Sequence, residues 1–262
     1  MNRIDAAFRG LRKKGRKAFI AFITAGYPDL RVTEKLILEF SRRGVDIIEL
    51  GVPFSDPMAD GPIIQEASQV ALSKNVYLVD ILRTVKKARR LTQVPICLMT
   101  YFNPVFCFGE DKLIASAKEA GVDGLIIPDL PPEEGRSFIR RAEGSGLDVI
   151  SFVSPTTSPK RLKIILSLAR GFIYYVSLTG VTGPRKALPK DLKTHIKAIK
   201  KITNKPVCVG FGVSKTSQVR KIFEVADGVI VGSAIVGKIR ESLNSRLLPE
   251  KVGSFISYLK NV

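Results

Sequence analysis

The sequence predicts a single (β/α)8 barrel spanning residues 1–262. Three observations predict it. Eight short runs rich in Ile, Val and Phe recur without clean polar alternation, as expected of strands buried on both faces. Helix-like stretches separate the runs, so the strands are parallel and joined by crossovers. The chain also has the length of about 250 residues typical of this barrel, whereas a doubly wound open sheet usually uses fewer strands. No Pro-, Gly- or Ser-rich linker divides it.

Taken in order, Arg3–Lys14 opens the chain as a helix. Its Ile4, Ala7, Phe8 and Leu11 follow helical spacing, which suits a cover over the bottom of the barrel. The first strand is Ala18–Thr24, followed by a helix over Leu30–Arg43, then a strand over Asp46–Gly51. The connection from Gly51 to Pro95 is the longest, and Ile64–Lys74 adds an extra helix there before the helix Ile81–Leu91. Asn75, beyond that extra helix, is of a type that tolerates the left-handed conformation. Pro95–Tyr101, Gly124–Pro128 and Asp148–Val153 are the next strands, alternating with helices Asp111–Ala120 and Pro132–Gly144. Phe172–Leu178, Pro206–Gly210 and Gly228–Val231 complete the eight, with helices Pro159–Arg170, Pro189–Lys201 and Lys215–Glu224 between. Ser158-Pro159 and Ser214 are helix-start signals.

Composition narrows the function. Hydrophobic residues at 45% exclude disorder. No apolar run approaches the roughly 20 residues of a membrane span, and the basic N-terminus lacks the apolar core of a secretory signal. Cys97, Cys107 and Cys208 are odd in number with no CxxC spacing, which fits a reduced, cytoplasmic compartment. A single histidine, His195, argues against a metal centre and against a Ser-His-Asp triad. The net charge of +18 is unusual. Its cations fall in outer-helix runs such as Lys86–Arg90, Lys160–Lys163 and Lys193–Lys201, with no interleaved aromatics, so a solvated face is expected rather than a nucleic-acid surface.

In this fold the active site lies at the C-terminal ends of the strands. There Glu49 stands inside the apolar run Ile47-Ile48-Glu49-Leu50-Gly51. A carboxylate so placed is neutral, paired with an inward cation, or at work, and no strand supplies an obvious interior cation. The next loop, Pro53–Pro62, carries Asp56 and Asp60. Asp60 can turn back toward Glu49, while Asp56, before a proline, suits a turn. In the sixth strand Tyr174 and Tyr175 point to opposite faces, and alternation alone does not say which enters the barrel. Three Gly-containing segments, at 180–183, 210–214 and 232–235, follow the last three strands and suit a phosphate, because glycine admits close approach and helix N-termini bind anions. No strand-borne lysine is available for Schiff-base chemistry.

The stretch ELGVPFSDP from Glu49, continuing to Asp60-Gly61-Pro62-Ile63-Ile64-Gln65, resembles the signature of the tryptophan synthase alpha subunit family. FIAFITAGYP from Phe19, MTYFNPVF from Met99, GVDGLIIPDLPP from Gly121 and YYVSLTGVTG from Tyr174 resemble it too, in collinear order over essentially the whole chain. The resemblance implies retro-aldol cleavage of indole-3-glycerol phosphate. It implies Glu49 as general acid/base, Asp60 as the carboxylate at the indole N–H, and Tyr174 as the active-site tyrosine. It places Gly183, Phe211, Gly212, Gly232 and Ser233 at the phosphate and Phe22, Tyr101 and Ile126 around the indole. Thr182, within a closing loop over Thr179–Leu188, matches the residue that meets Asp60. A beta-subunit partner in an α2β2 heterotetramer is implied, with pyridoxal phosphate held by that partner and no cofactor or metal in this chain. Asp56, Pro57, Asn103, Phe106, Asp129 and Pro131 match the family interface. Val105, Phe106 and Phe108 are expected as surface that the partner covers, or else as loop core. The +18 charge departs from the family, and nothing in the sequence accounts for it. Two other readings stand beside this one: a sugar-phosphate isomerase barrel, and a barrel without catalysis that activates a partner or binds nucleic acid.

Overall fold

The computed structural model describes residues 2–176, 191–210 and 212–261. Eight parallel strands close in the order β1-β2-β3-β4-β5-β6-β7-β8, with β1 pairing to β8. They are β1 Ala18–Thr24, β2 Ile47–Gly51, β3 Ile96–Met99, β4 Gly124–Ile126, β5 Asp148–Val153, β6 Ile173–Val176, β7 Val207–Gly210 and β8 Gly228–Val231. Almost every strand residue is buried, so the runs lack alternation because one face meets the barrel interior and the other the helices.

The leading helix α1 (Arg3–Lys13) covers the end where the strands begin. Its Ile4 is fully buried and lies against Gly124 and Gly171, where added Cβ atoms would stand 3.1 and 3.3 Å from the Ile4 side chain. Asn2 caps the helix and its amide donates to the carbonyl of Asp123 at 2.7 Å. The outer helices are α2 Leu30–Arg42, α3 Pro62–Ser73, α4 Leu78–Ala88, α5 Phe102–Phe108, α6 Glu110–Ala120, α7 Arg136–Gly144, α8 Pro159–Leu168, α9 Leu192–Lys200, α10 Thr216–Phe223, α11 Ser233–Glu241 and α12 Leu248–Lys260. The predicted extra helix after β2 is α3, and Asn75 beyond it takes φ +53°, the left-handed conformation that ends it.

Four features differ from the sequence reading. Residues 102–108, read as loop, form α5, whose first free N–H (Phe102) is received by both carboxylate oxygens of Asp129 at 2.9 and 3.1 Å. Val105 is core and only Phe106 is strongly exposed. The helix expected from Pro132 begins at Arg136, because residues 131–135 form a turn first. Arg89, assigned to a solvated face, is buried: it bridges Asp123 at 2.6 Å and donates to the carbonyls of Gly121 and Val94, tying α4 to the starts of β3 and β4.

The other cations have a common geometry. The helices that lead into strands deliver their C-termini to the pole where the strands begin. Lys or Arg occupies the last turn of α1, α2, α4, α6, α7, α9 and α10, where the helix dipole favours positive charge. The closed barrel therefore places many cations at one end, opposite the strand C-termini, where several meet carboxylates: Lys86 with Glu119, Arg42 with Glu39 and Lys200 with Asp227. All three cysteines are free, and no helix among the described residues is long and apolar enough to cross a membrane.

Candidate functional site

Burial and pairing single out Glu49 at the C-terminal end of β2. Its side chain is 0% exposed, and neither carboxylate oxygen has a hydrogen-bond partner. No inward cation pairs with it among the described residues. Burial alone pushes its carboxyl from 4.5 up to about 8, so it carries its proton at neutrality. Its neighbours in register are Phe22 on β1 and Cys97 on β3. Gly51, two residues on, leaves room for the Phe22 ring, since a Cβ there would lie 2.6 Å from the ring.

Asp60 sits in the loop after β2, just before α3, and is also buried. The Tyr101 hydroxyl donates to its Oδ2 at 3.1 Å and accepts from the Ala59 N–H at 3.0 Å, so one phenol fixes both the loop and the carboxylate. Gln65 in α3 donates to the Asp60 carbonyl at 2.8 Å. Burial raises the Asp60 carboxyl to about 6, and the Tyr101 hydrogen bond opposes that rise. Two carboxyls thus differ in state: one protonated and unpartnered, the other hydrogen-bonded and ionised above about pH 6.

The choice between the tyrosines is settled by β6. Tyr175 points outward and its hydroxyl meets His195 Nδ1 in α9 at 2.8 Å, which gives the one histidine a structural place. Tyr174 points inward, and its ring lies 4.8 Å from that of Phe152. It packs over Gly210 so closely that a Cβ there would stand 2.6 Å from the ring. Gly210→Ala should therefore destabilise the fold by roughly 1–3 kcal/mol through overpacking, read as a lowered melting temperature. An unchanged melting temperature would mean that the Tyr174 ring does not occupy this space.

Phe22, Asp60, Tyr174, Gly212, Gly232 and Ser233 line one small cavity of about 30 Å³. Six of the predicted site residues therefore converge. The sequence reading missed Ile64, Met99, Val213 and Ile230 in the same lining. Met99 and Ile230 were findable by strand period, because they end β3 or stand two residues before Gly232. Glu49 and Ile126 are buried and do not themselves line this cavity. Gly232 is the N-cap of α11, and Ile235 and Val236 already donate to its carbonyl, so the helix N-terminus faces the cavity with Ser233. Gly212 takes φ +75°, the left-handed backbone that glycine permits. Thr182, Gly183 and Phe211 lie outside the described residues.

The predicted interface residues are spread over neighbouring loops at this end. Asp56 and Pro57 line an open groove with Phe54 and Met58, and Ser55 donates to Asp56 at 2.5 Å in a local turn. Asn103 and Phe106 lie on α5, which Asp129 caps. Pro131 borders a larger cavity of about 340 Å³ between the loop after β4, strand β5 and helices α7 and α8. Among the described residues no three His, Cys, Asp or Glu side chains converge in a way that could hold a metal ion.

The family model for the tryptophan synthase alpha chain matches residues 8–255. The chain belongs to that family. The tryptophan synthase alpha chain of Geotalea uraniireducens is 48% identical over 260 residues, covering 99% of this chain and 97% of the relative. The crystal structure of tryptophan synthase subunit alpha from Legionella pneumophila superposes with a TM-score of 0.91 at 38% identity, covering 99% and 98% of the two chains. A chain of the tryptophan synthase complex from Pyrococcus furiosus gives 0.85 at 36% identity, covering 94% and 98%. This tryptophan synthase alpha chain family member thus keeps the barrel, and places an acidic pair of contrasting environments at its catalytic end.

Proposed function

We propose that this alpha chain cleaves indole-3-glycerol phosphate to indole and glyceraldehyde 3-phosphate, a carbon–carbon lyase reaction in tryptophan biosynthesis. The observation that carries the reading is the buried, unpartnered Glu49 carboxyl at the end of β2, with the hydrogen-bonded Asp60 in the loop that follows and the inward Tyr174 near enough to feel both. The carbon–carbon bond breaks only after the ring carbon bearing the glycerol chain becomes tetrahedral. Glu49 donates its proton to that carbon, and the ring becomes a cationic indoleninium. The ionised Asp60 accepts the indole N–H and stabilises this cation. Glu49, now a carboxylate, takes the proton of the adjacent carbinol hydroxyl. The bond electrons return to the ring, the hydroxyl carbon becomes the aldehyde, and Glu49 recovers its proton.

Phe22, Tyr101, Ile126 and Tyr174 would surround the indole. Gly212, Gly232 and Ser233, with Gly183 and Phe211, would take the phosphate at the N-terminus of α11. Thr182 would meet Asp60 when its loop closes and excludes water. The chain needs no cofactor in this reading, and no lysine stands within the described strands to hold pyridoxal phosphate. That group belongs to a beta subunit, which receives the indole in an α2β2 assembly in the cytoplasm. The exposed Phe106 on α5 and Met58 in the loop after β2, near Asp56, Pro57, Asn103, Asp129 and Pro131, supply apolar area for that contact.

The decisive experiment is indole release from indole-3-glycerol phosphate, with and without a cognate beta subunit. Release that rises with the partner supports both reaction and assembly; no release in either case overturns the reading. The two carboxyls also predict a bell-shaped dependence of kcat/KM on pH. Activity rises as Asp60 ionises near pH 6 and falls as Glu49 loses its proton near pH 8. Tyr101→Phe removes the hydrogen bond that lowers the Asp60 value, so it should move the acid limb upward and leave the basic limb in place. A profile still climbing at pH 10 would contradict Glu49 as the acid.

A further inference from the structure

At the pole opposite the catalytic end, α1 and the starts of β7 and β8 frame a further cavity of about 140 Å³. Its floor is apolar, made by Phe8, Leu11 and Pro206, and its rim carries Arg12, Arg16 and Lys17. The rim is fixed by backbone geometry. Beyond α1 the chain reverses at Gly15, φ +63°, with the Gly15 N–H donating to the Arg12 carbonyl at 3.2 Å and the Arg16 N–H to the Leu11 carbonyl at 2.9 Å. This turn lays Arg16 and Lys17 back over Leu11. Arg12 is steadied by the carbonyl of Asn204 at 3.4 Å.

The one carboxylate in the lining is already engaged. Asp227 Oδ1 meets Lys200 at 2.8 Å and Lys17 at 3.6 Å, and its Oδ2 accepts the Val207 N–H at 3.0 Å. Arg12 and Arg16 are exposed at the mouth, and neither is in an ion pair among the described residues. Arg16 also feels Asp46, whose Oδ2 is taken by the Phe19 N–H at 2.8 Å, and Lys260, which is of its own sign. The mouth is therefore positive over an apolar floor. Cations at a helix C-terminus complement its dipole, but that role calls for no apolar recess beneath them.

We propose that this recess is a binding site for a small monocyclic aromatic acid, separate from the catalytic end. A cavity of about 150 Å³ holds a benzene ring, so the volume sets the size at one ring. The ring would lie on Phe8, Leu11 and Pro206, and the carboxylate would take the guanidinium groups of Arg12 and Arg16, which match its two oxygens.

The test titrates the full chain with benzoate, benzyl alcohol and acetate while amide signals are followed by NMR. Saturable shifts at Phe8, Gly15 and Lys17 with benzoate are expected, with benzyl alcohol and acetate each at least tenfold weaker. Arg12→Gln with Arg16→Gln should weaken benzoate at least tenfold while the variant keeps a cooperative thermal transition and a native amide spectrum. Three results would overturn the proposal: equal binding of acetate and benzoate (an attraction to charge alone), benzoate shifts confined to the catalytic end, or undiminished affinity in the double variant.

Discussion

Glu49→Gln should abolish cleavage and make the protein more stable. Gln keeps the shape of the side chain and cannot donate a proton of the required acidity. Loss of a general acid costs about 10²–10⁴-fold, so turnover should fall by roughly a thousandfold or more. The stability gain follows from linkage. The Glu49 value is raised in the folded state, so its ionisation opposes folding: its contribution is intact below about pH 4.5 and is lost as pH rises toward about 8. A neutral Gln escapes that loss, and the variant should exceed the wild type near pH 8 by an amount on the order of a few kcal/mol. The measurement pairs single-turnover cleavage with urea melts at pH 5 and pH 8. An active variant would remove Glu49 from the chemistry, and equal stability at both pH values would mean that its carboxyl is solvated.

Asp60→Asn should cost about 10²–10³-fold in cleavage rate, the usual loss when one group facing a developing charge is removed. The amide still accepts the Tyr101 hydrogen bond, so the loop should hold its place and only the negative charge is lost. The discriminating readout is kcat against KM. A charge that acts on the indoleninium lowers kcat, and affinity for glyceraldehyde 3-phosphate should stay close to that of the wild type. A rate within threefold of the wild type would show that the ring cation needs no carboxylate there.

The sequence carried much of this site for a physical reason. Glu49 and Asp60 were legible because a carboxylate in an apolar run, or in a tight loop at strand ends, violates the pattern around it. The barrel was legible because eight buried strands repeat one signal. The misses share a different cause. The helix α5 is capped by Asp129, a residue 27 positions away, so no local signal marked its start. Arg89 looked like part of a basic surface run, yet Asp123 lies 34 positions on and draws it inward. Val105 could not be told from Phe106, because facing within a short helix depends on what packs against it. Alternation alone could not separate Tyr174 from Tyr175; the family resemblance chose Tyr174, and the outward contact of Tyr175 with His195 gives the physical reason. Helices α11 and α12 went unmarked, although Pro249 at the first turn of α12 was a usable start signal.

The gathering of cations at the strand-starting pole bears on how such a chain can change. No basic residue figures among the causes that set the Glu49 or Asp60 acidities. The seven residues of β1 alone rise roughly 23 Å, about twice the distance over which salt damps exposed charges. The two ends are thus electrically insulated from each other. Mutation can change a charge at the base of the barrel and leave the carboxyl acidities at the mouth as they are. An isoelectric point near 10 thus leaves the proton inventory of the catalytic end untouched.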